Sequence, residues 1–466
     1  MRVLLLSTYD LGHQPFALAS LSAAVSKDGA EVICNDLAVE PLKEEAVKNS
    51  SLIALHLAMH TATRLALQLL PRLRILNPNA HICFFGLYAP MIGNILVEER
   101  NMSFIGGEFE TAVKKLCYKL NGSHSFNSHE RNVTIIGKYR FQVPDRTKLP
   151  TLDNYAYLEE ANGDRKITGY TEASRGCKHV CLHCPVVPVY GGRFFIVPVD
   201  TVMKDIRQLV KAGAEHISFG DPDFFNGPKH ALDIIAKLHV EFPHLGYDVI
   251  IKVEHLLKHQ QLLAVLKNTG CRFITTAVES VDDHVLLKLE KGHSTADFSE
   301  VVEITKRLDL HLSPTFIPFT PWSTVQNYQY LLKTIMNLGL VDNVASVQLS
   351  IRLLIPLGSR LLELEEIKAR APQFDQEALS YPWQFNDLQM ETLAKNVRQI
   401  VEEGEQRSKT RREIFMELWE AANNAQEPAT EPSKTLNLSL DCIDIPKMSE
   451  AWYCCAEPTR FQAEQI

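Results

Sequence analysis

Short apolar runs alternate with amphipathic stretches through most of this chain, and they do so in two separate series. The first includes Val3–Leu6, Glu31–Cys34, Leu52–Leu55 and His81–Gly86, interleaved with helical patterns over Phe16–Lys27 and Ala62–Leu76. Alternation of this kind builds a parallel sheet covered by helices, whose ligands bind beyond the carboxyl ends of the strands. The second series runs through Lys166–Ser174, His216–Phe219, Tyr247–Val253, Arg272–Val278, Leu312–Ile317 and Ser346–Ile355, with helical patterns between them. Six strands joined by helical crossovers predict a partial barrel of the (β/α)6 kind, again with its chemistry at the strand C-termini. The expected class is α/β: a doubly wound parallel sheet, a partial barrel, a C-terminal helical extension and a cysteine-containing tail.

Boundaries follow from the loops and prolines. The first unit spans residues 1–140, and 141–165, with Pro144 and Pro150, reads as a linker. The barrel takes 166–380, and 381–424 is a helical extension read as one charge-laced helix over Phe385–Asn423. Residues 425–466 read as a flexible linker and a Cys-Cys tail. The 48 Lys plus Arg against 56 Asp plus Glu leave a formal charge of −8, without the basic excess that a nucleic-acid partner requires. The longest apolar stretch, Leu52–Leu70, is broken by His56, His60, Thr61 and Arg64, so no membrane partner is expected. Val3–Leu6 is too short for a secretory core, and a cytoplasmic location is the expectation. Ten cysteines in 466 residues are too sparse for a disulfide scaffold, which turns attention to where they cluster.

They cluster in Ser174-Arg-Gly-Cys177-Lys-His-Val-Cys181-Leu-His-Cys184-Pro, just after the first barrel strand. Three thiols at this spacing can meet at one centre, and thiolates bind iron or zinc. Zinc would need a fourth ligand, for which His179 or His183 is at hand. A four-iron cluster held by three cysteines leaves one iron open.

C-x3-C-x2-C at the mouth of a partial barrel resembles the radical S-adenosylmethionine (SAM) superfamily. The resemblance implies a [4Fe–4S] cluster on Cys177, Cys181 and Cys184, with SAM on the open iron. It also implies reductive SAM cleavage to a 5′-deoxyadenosyl radical, an electron donor such as flavodoxin or ferredoxin, and a small-molecule substrate. Gly220-Asp-Pro-Asp223 lies where the family has a segment that contacts the SAM amino group, so Asp221 or Asp223 is expected there, with helix capping as the structural alternative. Lys252 and Glu254 end the third barrel strand. Glu279-Ser280 resembles the ribose-contacting position, and Arg352 is a candidate partner for the SAM carboxylate, with a structural ion pair as its alternative.

The first unit is similar to the cobalamin-binding-type domain that precedes many radical SAM domains. Its usual Asp-x-His-x-x-Gly motif is absent: Asp10-Leu-Gly-His13 has the wrong spacing. Cobalamin is left open, bound without a histidine ligand if bound, with His13 and His60 as pocket residues or as ordinary capping and packing groups. The run Glu450-Ala-Trp-Tyr-Cys454-Cys455-Ala-Glu-Pro458 resembles the CUAEP/CCAEP-tail radical SAM proteins. Cys454 and Cys455 are therefore expected to act in turnover as a soft-ligand or redox arm. Methyl transfer through cobalamin, transfer of another SAM-derived group to a soft element, and radical rearrangement all remain open. The rival from another class is a non-catalytic zinc-binding interaction protein.

Overall fold

The computed structural model describes residues 1–96, 101–122, 131–137, 139–385, 387–425 and 444–450. The first series forms β1 (Arg2–Ser7), β2 (Glu31–Asp36), β3 (Leu52–His56), β4 (His81–Phe85), β5 (Met102–Gly107) and β6 (Asn132–Ile135). They pair in the order β2-β1-β3-β4-β5-β6, every neighbour parallel. β1 shows why such strands are apolar throughout. Val3 and Leu5 pack on one face, towards the helices Phe16–Ser26 and Phe109–Asn121, while Leu4 and Leu6 pack on the other, towards His60–Leu76. Chain order reverses across β1, so the loops after β1 and β3 diverge and open a crevice at the carboxyl edge.

The rest of the chain supplies β7 (Tyr157–Glu159), β8 (Arg165–Thr171), β9 (Ser174–Gly176), β10 (Phe194–Ile196), β11 (His216–Phe219), β12 (Gly246–Ile250), β13 (Cys271–Glu279), β14 (His311–Phe316) and β15 (Lys447–Met448), of which β8 and β11 to β14 answer to the second series. The curled sheet runs β14-β13-β12-β11-β8-β7-β15. β8 and β11 to β14 are parallel, and β7 and β15 close the edge antiparallel. β9 and β10 form a separate hairpin. The helices Val199–Lys211, Pro228–Glu241, Thr295–Arg307 and Val325–Asn337 cover the outer face over one large core.

Three expectations are corrected. The sixth barrel strand, Ser346–Ile355, does not form: Ser346–Leu349 is a 3-10 turn, and the segment meets the sheet only at a Phe319–Arg352 bridge. Phe319 is flanked by Pro318 and Pro321, which have no N–H to extend a ladder, so pairing stops at its two bonds to Ile351 and Leu353. The single helix expected over Phe385–Asn423 is a hairpin, Leu388–Gln406 and Arg411–Asn424, turned at Ser408 (φ 54°) and restarted by a Thr410–Glu413 capping box. Part of the expected linker, Tyr157–Glu159, is itself a strand of the barrel sheet. In the 425–466 stretch, 444–450 is a strap whose β15 pairs with β7, while Cys454 and Cys455 lie outside the described residues. Among the described residues no helix is long and apolar enough to cross a membrane.

Two arginines join the halves. Arg146 forks onto Asp205 of a barrel helix at 2.7 and 2.8 Å, donates to the Tyr170 carbonyl, and reaches Gln14 in the loop after β1 at 2.7 Å. Arg175 of β9 meets Glu110 at 2.8 Å and Glu108 at 3.2 Å, both just beyond β5.

Candidate active site

The carboxyl ends of both parallel sheets face one cavity of ≈ 370 Å³. The first sheet lines it with Asp10 after β1, His56 at the end of β3, Gly86 after β4 and Phe109 after β5; the barrel contributes Glu172, Arg175, Cys184, Glu279 and Thr315 among others.

The cysteine loop hangs from β9, and Gly176, at φ +76°, turns the chain into it. It is then stitched down at several points. Lys178 N donates to Asn226 Oδ1 at 3.1 Å, Leu182 N to the Leu289 carbonyl at 3.1 Å, and Arg360 to the Val180 carbonyl at 2.8 Å. Cys184 N donates back to the Cys181 carbonyl at 3.2 Å, closing a turn that gathers the thiols. Burial pushes the Cys184 thiol up to about 12, helped by the neighbouring Cys181 and Cys177, and burial raises Cys177 as well. Buried thiols ionise readily only beside a cation, and three cysteines in one loop are a donor set that fits a thiolate-held metal centre. Lys252 Nζ lies 3.7 Å from Cys181 Sγ and adds positive charge there.

Glu279 stands at a bulge in the β13–β14 register and adopts φ +68°, a left-handed backbone that a glutamate rarely takes. The bend aims its carboxylate into the site, where His183 Nε2 and Lys291 Nζ each lie 3.1 Å from Oε1. Burial opposes ionisation, yet Lys291 and His183 hold the carboxyl well below its ordinary value. On the opposite wall, Glu172 receives Arg175 Nε at 2.7 Å. Asp10 is pushed up by burial and by Asp36 and Glu172. His56 stacks on Phe85 at 5.2 Å, and burial together with Arg175 lowers its pKa to about 3, so the ring is neutral at pH 7.

Of the residues expected from sequence, the structure brings Cys177, Cys181, Cys184 and Glu279 to one end of the barrel. Lys252 and Glu254 lie beside them, 3.5 Å apart. Asp221 turns away from the cavity: it accepts from Ser174 Oγ at 2.5 Å and Ala173 N at 2.9 Å, anchoring the start of β9. Asp223 caps Phe225 N at 3.0 Å and faces His179 and His255. Arg352 pairs with Glu391 at 3.0 Å, donates to the Trp383 carbonyl, and stacks over Trp383 and Phe385, away from the cavity lining. His13 stacks on Tyr170 at 4.7 Å and borders a smaller cavity, whereas His60 is buried at a helix start. Sequence reasoning missed His56, Arg175 and Lys291. Arg175 had a visible signal in its place two residues before Cys177, while Lys291 had none.

This geometry defines a barrel that carries a three-thiol loop at its mouth and shares its cavity with a nucleotide-fold sheet. Residues 171–331 match the family described as the Radical SAM superfamily. The chain therefore carries a radical SAM enzyme domain, whose cofactors are a [4Fe–4S] cluster and SAM. Among curated proteins it is 23% identical over 257 residues to the tRNA-2-methylthio-N(6)-dimethylallyladenosine synthase of Aliivibrio fischeri, covering 52% of this chain and 54% of that protein. It is 22% identical over 260 residues to the ribosomal protein uS12 methylthiotransferase RimO of Porphyromonas gingivalis, covering 54% and 56%. The chain thus spans about half the length of the curated relatives it matches. The fold extends further. The cobalamin-dependent SAM radical enzyme OxsB, solved with aqua-cobalamin and SAM, superposes with a TM-score of 0.70 at 14% identity over 86% of this chain and 67% of that one. The radical SAM methyltransferase TsrM of Kitasatospora setae, solved with tryptophan and a SAM analogue, gives 0.62 at 17% identity over 79% and 77%.

Proposed function

We propose that this protein is a radical SAM enzyme that modifies a small molecule in the shared cavity, with its cluster on Cys177, Cys181 and Cys184 and cobalamin as a second cofactor on the first sheet. The observation that carries this reading is the meeting of two strand-end surfaces: Cys184 and Glu279 stand on one wall, and the loops after β1, β3, β4 and β5 form the other. When bound there, the reduced cluster supplies the electron that cleaves a carbon–sulfur bond of SAM. The chain's own groups hold and orient. Lys252 and Lys291 balance charge around the thiolates, and Glu279, kept ionised, accepts hydrogen bonds from a ligand hydroxyl or ammonium. Apolar wall residues exclude water. Asp221, Asp223 and Arg352 are all engaged elsewhere, so Glu279 is the expected SAM contact that remains.

For cobalamin, Gly86 and Gly107 offer backbone along the first-sheet wall, and His56, Tyr88 and Met59 offer polar and apolar contacts. The wall fits a flat, amphipathic cofactor. The fold shared with OxsB, solved with aqua-cobalamin, supports the same placement.

Cys454 and Cys455 are proposed as a soft-ligand arm. The strap Asp444–Glu450 ends with Glu450 accepting from Tyr9 Oη at 2.8 Å, beside a smaller cavity that shares Leu11, Tyr170 and Gly220 with the large one. Cys454 is four residue steps beyond Glu450, a reach of up to roughly 14 Å. An electron donor of the flavodoxin or ferredoxin class is part of the same proposal.

The test is anaerobic. Replacing Cys177, Cys181 and Cys184 together by Ala is expected to remove iron, sulfide and SAM cleavage at once, and a triple variant that keeps its iron overturns the assignment. The products of SAM then separate the chemistries: 5′-deoxyadenosine, S-adenosylhomocysteine and methylthioadenosine mark hydrogen abstraction, methyl transfer and transfer of the aminocarboxypropyl group. Stoichiometric cobalamin retained after desalting supports the second cofactor, and none retained removes it. Cys454→Ser with Cys455→Ser should leave SAM cleavage intact and abolish product.

A further inference from the structure

Beside the cavity, three donor atoms from three different segments converge on one point. His179 sits midway between Cys177 and Cys181, Asp223 follows β11, and His255 lies in the helix Val253–Lys258 that follows β12. Asp223 Oδ2 is 2.7 Å from His255 Nδ1 and 3.2 Å from His179 Nε2, and the three atoms lie within 4.8 Å of one another. The Asp223 side chain is 0% exposed and that of His255 8%.

Hydrogen bonding accounts for this arrangement only in part. The two rings approach the Asp223 carboxylate closely, yet none of the three atoms has a well-aligned hydrogen-bond partner among the described residues. The other half of Asp223 and of His179 is already engaged. Asp223 Oδ1 accepts from Phe225 N at 3.0 Å, which fixes the carboxylate plane, and His179 Nδ1 faces Glu254 at 3.6 Å. What remains is a buried carboxylate oxygen and two imidazole nitrogens turned towards one another, a costly set unless a cation sits between them. Tetrahedral ligands at about 2.0–2.2 Å from a metal stand roughly 3.3–3.6 Å apart. The observed 2.7 and 3.2 Å need only sub-ångström outward movement to match.

We propose that His179, Asp223 and His255 bind a single divalent transition-metal ion of the zinc class, separate from the cysteine-held cluster, with the fourth position open on the partly exposed side of His179. Two nitrogens and one carboxylate oxygen suit a borderline cation and offer no sulfur to compete for iron–sulfur assembly. The ion's place is structural. It ties the loop between the first two cysteines of the motif to the ends of β11 and β12, reinforcing the Lys178 N to Asn226 bond on the same side.

The experiment counts two metals independently, so its failure and that of the cluster assignment are told apart. Protein with its cluster assembled anaerobically is stripped with a chelating resin, given Zn2+, desalted and analysed for iron and zinc. The expected result is one zinc per chain beyond a full iron complement, with zinc X-ray absorption showing only nitrogen and oxygen neighbours. His255→Gln leaves the Asp223 cap on Phe225 in place and is the deciding variant; it should weaken zinc binding at least ten-fold while iron stays unchanged. Zinc held equally by His255→Gln, a sulfur-containing zinc shell, or no retained zinc at full iron overturns the proposal. Should the loop hold no iron, the same count on the Cys177, Cys181 and Cys184 to Ala protein reads the His-Asp-His site alone.

Discussion

Gly176 is the residue on which the cysteine loop turns, because a Cβ there would stand 2.4 Å from the Arg193 carbonyl oxygen and 2.5 Å from the Tyr190 ring. The left-handed φ alone costs alanine about 1–2 kcal/mol, before either clash is relieved. Gly176→Ala should therefore lower the melting temperature and reduce the iron taken up on reconstitution; full iron loading would show that the hairpin yields more easily than its packing implies. Asp221 makes a second residue-scale prediction. Burial raises its carboxyl from 3.8 to about 7 despite the bonds from Ser174 and Ala173. A carboxyl whose folded pKa exceeds its unfolded one favours the native state while protonated, and that contribution is lost as pH rises from 3.8 to about 7. Wild-type stability should fall across this window more steeply than that of Asp221→Asn, as followed by thermal melts at stepped pH; parallel profiles would refute the raised pKa. That the three cysteines share one loop at the barrel mouth was legible because spacing within one loop survives folding. Which candidate carboxylate faces the cavity was not, since Asp221, Asp223 and Glu279 are alike in sequence, and only the bulge at Glu279 turns one of them into it.

At the scale of elements, alternation and periodicity forecast β1 to β4 of the first sheet, the five parallel strands of the second and most covering helices, because each pattern reports a face that must be buried, while β5, β6, β7 and β15 went unread. The forecasts failed where a local group overrides the pattern. Pro318 and Pro321 halt the sixth strand, although Ser346–Ile355 is apolar enough to extend the sheet. Thr410-Arg-Arg-Glu413 is a readable capping box that a continuous amphipathic pattern conceals. In the resulting hairpin Gly404 lets the two helices close, since a Cβ there would stand 2.6 Å from Ile414 Cγ1. Gly404→Leu is expected to cost about 1–3 kcal/mol through overpacking. Iron content should be unchanged, because the hairpin packs on the outer core rather than on the cysteine loop. A denaturant midpoint equal to wild type would mean the hairpin opens without resistance.

Across the whole molecule, the two halves are latched through buried charge. Arg146 ties Asp205 to the loop after β1, and among the described residues Asp205, 1% exposed, keeps the Thr171 hydroxyl at 2.8 Å if the guanidinium is removed. Arg146→Met should destabilise by about 3–5 kcal/mol, the usual cost of leaving one partner of a buried pair uncompensated. Limited proteolysis should then cut first in 139–150, between the halves; an unchanged cleavage pattern would place the latch elsewhere. The two walls of the central cavity have separate origins. One grows from the core around β1, β3 and β4, and the other from the core around β11 to β14. Each sheet fills most of its own interior, and the buried Arg146 and Arg175 tie the two together. Changes on the first wall away from Glu108 and Glu110 can spare the thiol-bearing wall, so what the cavity admits and what happens to it there are written largely on different stretches of the chain and can diverge over time.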